Sequence, residues 1–80
     1  MTPVVTLYGR PGCHLCDEAR VVLERLRVGA PFALEEVDIE GDPALHARYL
    51  ERIPVIALDG EELFDFEVDA QELLRKLSPR

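Results

Sequence analysis

Long apolar runs are missing from this chain: 48% of its 80 residues are apolar, but they come a few at a time. A bilayer crossing takes ~20 in a row, so no segment is expected to span a membrane. Positive charge is scarce too. Nine Lys and Arg face 16 Asp and Glu, a formal charge of −7, which argues against nucleic acid as a partner because phosphates are held by basic patches. The opening residues MTPVVTLYGR have no basic start, long apolar stretch or small-residue cleavage site, so no secretory signal is read and the expected compartment is the cytoplasm. There are no repeats, linkers or low-complexity tracts. A chain this short has room for one modest core, and residues 1–80 read as a single domain. Cysteine occurs only twice. In a reducing cytosol a lasting structural disulfide is not expected, which leaves catalysis or metal binding for the pair.

What is present divides cleanly by period. PVVTLY, residues 3–8, is a short run rich in β-branched and aromatic side chains and reads as a buried strand, broken by Gly9 to Gly12. From Cys13 the spacing turns helical, with Leu15, Ala19, Val22, Leu23 and Leu26 on one face up to about Gly29. FALEEVDI, with Phe32, Leu34, Val37 and Ile39, marks a second strand. Asp42 is placed to cap a second helix with Pro43 at its first position, running to about Glu51. VIAL and ELFDF around Asp59-Gly60 read as a hairpin, because Asp-Gly supplies the positive φ angles of a two-residue turn. Asp69 and Glu72 have capping-box spacing ahead of a last helix carrying Leu73, Leu74 and Leu77, which frays at Ser78-Pro79-Arg80. The order βαβαββα predicts an α/β fold: a right-handed parallel crossover, then a hairpin, giving a four-stranded mixed sheet with helices on both faces.

A strand ending in YGRPGCHLC, a helix after it, IPVI at 53–56 and a closing hairpin and helix resemble the glutaredoxin branch of the thioredoxin fold. The resemblance spans essentially the whole chain. It implies a disulfide oxidoreductase in which the first cysteine, Cys13, is the nucleophile and the second, Cys16, resolves the mixed disulfide.

Independently of that resemblance, helix geometry places the Cα atoms of Cys13 and Cys16 ~5 Å apart, inside the ~4.4–6.8 Å range in which a disulfide closes. A sulfur at the helix tip faces unpaired N–H groups and ionises more readily than a free thiol. The tip alone is insufficient. It supplies ~0.3–2 kcal/mol, roughly one pKa unit at ~1.4 kcal/mol each, whereas a cysteine starts near ~8.5. Arg10, three residues before Cys13, is the nearby cation to add to it, and glutaredoxins often carry a basic residue there. His14 stands where dithiol members commonly have proline; as an imidazolium it would favour the reduced pair.

On the substrate side, residue pattern alone predicts a trans Ile53-Pro54 bond, since only ~5–6% of X-Pro bonds are cis. The resemblance implies cis, opposite the cysteines, with the backbone of Ile53 available to pair with an extended substrate. It also implies glutathione as a co-substrate, with no cofactor bound. Arg48 or Arg52 would receive a peptide carboxylate and Asp69 would offer its own near the ligand. The chain departs from the pattern where many members have Gly-Gly after the hairpin: here stand Asp65 and Phe66, whose side chains oppose a close backbone approach.

Other chemistries fit less well. Zinc wants four ligands, or three plus water, and His14 adjoins Cys13 too closely to share an ion with it. Haem attachment needs CxxCH, and residue 17 is Asp. A shared iron-sulfur cluster would depend on bound glutathione. Two readings stay open beside the glutathione-coupled enzyme: a donor recharged by a flavoprotein reductase, and a binding adaptor without turnover. The expected partner is a disulfide-bearing protein or small thiol, and the expected state a monomer.

Overall fold

The computed structural model describes residues 2–77. The chain runs β1 (Val4–Gly9), α1 (His14–Gly29), β2 (Ala33–Asp38), a 3-10 turn (Ile39–Gly41), α2 (Pro43–Tyr49), β3 (Val55–Leu58), β4 (Glu61–Asp65) and α3 (Ala70–Leu77). The sheet order is β2-β1-β3-β4, with β1 parallel to β2 and antiparallel to β3, and β3 antiparallel to β4. This is the expected α/β mixed sheet. The fraying expected at Ser78-Pro79-Arg80 lies outside the described residues.

Strand alternation decides which helix each face receives. Val5 and Leu7 of β1 and Ile56 of β3 join Ala19, Leu23, Phe32 and Leu73, so α1 and α3 close one face over an apolar core. Tyr8 and Val55 point the other way and meet Ile39, Tyr49, Leu45, Leu50 and Ile53, so α2 closes the second face. Among the described residues no helix is long and apolar enough to cross a membrane.

Local signals behave as their chemistry requires. Asp42 Oδ1 accepts from the N–H of Ala44 and Leu45, with Pro43 following. Asp59 and Gly60 sit at φ 49° and 90°, closing the hairpin. Asp69 Oδ1 accepts from Glu72 N at 3.1 Å, while the Glu72 carboxylate turns to Arg75 and Lys76 instead of back to the cap.

Several boundaries and one strand register differ from the sequence reading. β1 extends to Gly9, because the ladder to β2 continues to the Gly9–Asp38 pair. β2 stops before Ile39, which caps inward as a 3-10 turn once Asp38 Oδ1 takes Glu40 N. α2 ends at Tyr49, with Leu50 as its C-cap and residues 51–52 in a turn, two residues short of Glu51. The β3–β4 register slips between Ile56 and Ala57: Phe64 faces Ile56, Glu62 faces Ala57, and Leu63 is the additional residue. Leu15 also leaves the predicted core face and is 46% exposed.

Candidate active site

Arg10-Pro11-Gly12-Cys13 forms a tight turn from β1 into α1, closed by Cys13 N donating to Arg10 O at 3.3 Å. Pro11 at its second position and Gly12 at φ 81° are the residues that a type II turn requires. Cys13 is therefore the N-cap and His14 the first helical residue, one position later than the sequence spacing suggests. Cys13 and Cys16 are joined as a disulfide, with Cα atoms 5.2 Å apart. Cys16 N donates to Cys13 Sγ at 3.2 Å. The same helix-end N–H would stabilise negative charge on that sulfur after reduction.

The two sulfurs differ in access. Cys13 is half-buried, whereas Cys16 is 1% exposed. Gly9 makes that burial feasible: a Cβ built there would lie 2.8 Å from Cys16 Sγ, so only a residue without a side chain lets the strand end pass behind the resolving sulfur. Beside Cys16 a cavity of about 190 Å³ opens between Arg10, Asp17, Arg20, Glu36 and Asp38. Its wall is braced by Arg20, which donates to Glu36 at 2.7 Å and to Asp17 at 2.9 Å. Those two carboxylates, Glu36 first, push the Arg20 guanidinium further up from its ordinary range.

Arg10 lines the same cavity and also pairs with Glu40 at 3.5 Å, so its charge is shared with a carboxylate. His14 is strongly exposed, with Nε2 3.1 Å from Glu18. The Ile53-Pro54 bond is cis. Register places Pro54 one step beyond the Tyr8–Val55 pair, at the level of Gly9 and hence of the cysteines. Ile53 has no backbone hydrogen-bond partner among the described residues, while Phe66 N donates to Pro54 O at 2.8 Å and Arg52 O at 3.3 Å.

Arg52 and Asp69 are drawn into local duties. Arg52 donates to Glu62 at 2.8 Å and to Asp65 at 3.3 Å, and Arg48 reaches Glu62 at 3.2 Å. Tyr49 donates its hydroxyl to Glu62 at 2.7 Å and stacks on Tyr8 with ring centroids 4.6 Å apart. Hydrogen bonds from Arg52 and then Tyr49 hold the Glu62 carboxyl below its usual range, and burial followed by Glu62 raises the Tyr49 phenol. Asp69, an exposed residue, caps α3.

Sequence reasoning missed three participants and the conformation of a fourth, Phe66, which it marked only as a departure from Gly-Gly. Gly9 was legible as a glycine abutting the CxxC turn. Glu40 and Glu62 carry no local signal, because their partners come from other elements. Phe66 adopts φ 70°, beyond the end of β4, where the sequence pattern continues the strand. Among the described residues, no group of three or more His, Cys, Asp or Glu side chains could hold a metal ion.

A four-stranded mixed sheet flanked by three helices, with a CxxC disulfide at the tip of the first and a cis-proline strand beside it, defines a thioredoxin-fold protein with a redox-type site. The chain belongs to the family described as Glutaredoxin-like domain (DUF836), whose model matches residues 4–78. A solution structure of a Nitrosomonas europaea protein superposes with TM-score 0.87 at 32% identity, covering 98% of this chain and 94% of that one. A crystal structure of an X. campestris protein gives 0.72 at 40% identity, covering 94% and 99%. An uncharacterised Mycobacterium tuberculosis protein is 34% identical over 76 residues, 89% of this chain and 78% of that protein. A thioredoxin from Halobacterium salinarum shares the fold, with TM-score 0.66 at 24% identity over 94% of this chain and 71% of that one.

Proposed function

We propose that the protein reduces disulfides by two-step thiol exchange, Cys13 attacking and Cys16 resolving. The observation that carries this reading is the unequal access of two bonded sulfurs: Cys13 is reachable from solvent at the helix tip, and Cys16 is sealed behind it. In the reduced protein the Cys13 thiolate attacks a substrate disulfide, one substrate sulfur leaves as a thiolate and takes a proton, and a mixed disulfide forms. Cys16 then loses its proton and attacks Cys13 Sγ. The second substrate thiol leaves and the Cys13–Cys16 bond closes, so two electrons pass to the substrate.

Arg10 and His14 are the proposed thiolate-stabilising cations, Arg10 in competition with Glu40 for its charge. The backbone of Ile53, beside cis-Pro54, is the proposed edge for an extended substrate. Arg52 and Asp69 serve ligand binding only if they exchange partners they already have. Return to the dithiol takes two electrons from outside, either from two molecules of glutathione, which leave as glutathione disulfide, or from a flavoprotein reductase. An adaptor without turnover has no use for a closable pair of such unequal access.

Cys13→Ser should abolish reduction of a disulfide substrate, whereas Cys16→Ser should accumulate a mixed disulfide visible by intact mass. Equal inactivation with no trapped species would overturn the assignment. Running wild type with the glutathione system and with a reductase system in parallel identifies the electron source, and turnover with neither favours the adaptor.

A further inference from the structure

Beginning at Leu15, the residue before Cys16, and on the side of α1 that faces the loop before α3, lies a groove of about 280 Å³, the size of one large side chain. Leu15, Val22, Phe66 and Val68 form its apolar floor and walls, and Glu18 and Glu67 its rim. Two of these residues are oddly placed for a small protein. Leu15, between the cysteines, is 46% exposed, and Phe66 is 49% exposed while belonging to neither packed cluster. Phe66 also sits at φ 70°, a left-handed backbone that an aromatic residue rarely adopts. Its N–H is tied to Pro54 O, which fixes the ring's attachment point next to the cis-proline. Each leaves about half of its apolar side chain open to solvent, Leu15 within the CxxC motif and Phe66 on a backbone anchored to the buried cis-proline.

The rim chooses the occupant. Among the described residues no basic side chain lines the groove. Glu18 is approached by His14 at 3.1 Å, and Glu67 has no ion-pair partner among the described residues. With a chain charge of −7 behind it, the rim is complementary to cations. Resting on the disulfide-reductase reading above, we propose that this groove selects the substrate: a polypeptide disulfide in which an apolar side chain close to the cysteine enters between Leu15 and Phe66 and neighbouring basic residues meet Glu18 and Glu67. Glutathione, small and acidic, lacks both features.

The test uses the fully reduced wild-type protein in single-turnover reactions, which need no recycling system. Its substrates are symmetrical peptide disulfides labelled with a self-quenching fluorophore and differing near the cysteine as Leu-Arg, Ser-Arg or Leu-Glu, with glutathione disulfide in parallel. The Leu-Arg peptide should react about tenfold faster than the Ser-Arg peptide, the scale on which an apolar pocket discriminates, and faster still than the Leu-Glu peptide. The Arg-over-Glu preference should shrink as salt rises. Phe66→Gly, which suits the positive φ, should bring the Leu/Ser rate ratio toward one, and Glu67→Lys should reverse the Arg/Glu preference. Each is a ratio on a single variant, so partial unfolding cannot mimic it. Equal peptide rates in wild type, or glutathione disulfide matching the best peptide, overturn the groove assignment and leave the redox reading intact. Failure to reduce any disulfide overturns the redox reading and this one with it. A wild-type dimer that Phe66→Gly dissociates would give the groove to a second copy and overturn the proposal as well.

Discussion

The two faces of the sheet hold the site by different physics. On the α1/α3 face, Val5, Leu7, Leu23, Ile56 and Leu73 are all at most 2% exposed, and position is set by shape: close-packed side chains leave the CxxC helix one seat on β1. On the α2 face, Tyr49, Glu62, Arg48 and Arg52 link the strand-side tyrosine, the β4 edge and the turn before cis-Pro54 through hydrogen bonds and two cation–π contacts, with the guanidinium carbons 5.4 and 5.6 Å from the Tyr49 ring. The lesson is a division of sensitivity: the sulfur side responds to volume, while the substrate-strand side, built over its own buried Ile39 and Val55, responds to protonation and salt as well.

The comparison breaks most severely at the core. Leu23→Ala should cost about 2–5 kcal/mol through lost transfer energy and a cavity, read as a lower urea midpoint at unchanged slope and unaffected by salt. Gly9→Ala is the next largest. Its Cβ would crowd Cys16 Sγ at 2.8 Å, so an overpacking cost of about 1–3 kcal/mol is expected. That cost should appear with an altered dithiol–disulfide equilibrium against glutathione, which a merely structural defect elsewhere would leave unmoved.

On the other face, Tyr49→Phe keeps the ring on Tyr8 but removes the hydroxyl that Glu62 accepts from; because Glu62 keeps Arg48 and Arg52 as donors, the loss should be about 0.5–1.5 kcal/mol, the net worth of an ordinary hydrogen bond. The smallest effect is in pH. Glu62 is depressed in the folded protein, so its contribution is complete above the unfolded carboxylate value of ~4.3 and is lost as pH falls through the lower folded value. Tyr49 is raised, so its contribution is complete below ~10 and is lost as pH climbs through the higher folded value. Stability should therefore plateau between these limits, and Glu62→Gln should flatten the acid limb. An acid limb unchanged in that variant would remove the distinction between the faces.

Much of this was readable along the chain because its cause is local. The Asp42-Pro43 cap, the Asp59-Gly60 turn, the Pro11-Gly12 turn and the Cys13–Cys16 separation each depend on a few neighbouring residues. Two expectations needed correction. Leu15 has helical spacing for the core, yet in the first turn of α1 it stays 46% exposed. ELFDF reads as one strand, but the bulge at Leu63 and the turn of Phe66 onto Pro54 end it at Asp65. Arg52 meets Glu62 and Asp65 of β4, a pairing between elements that no local pattern announces.

By itself the sequence determined the succession of elements, their caps and turns, and two sulfurs spaced to close a ring, because dihedral preference, hydrophobic period and helix rise act over a few residues. The helix tip already marked Cys13 as the sulfur in reach and Cys16, one turn inside, as the shielded one; only the tertiary structure decided that Gly9 passes close behind Cys16, which carboxylate each arginine faces, and that Leu15 and Phe66 line one groove. Those outcomes depend on strand register and on which helix covers which face, which bring together residues tens of positions apart that no local pattern connects.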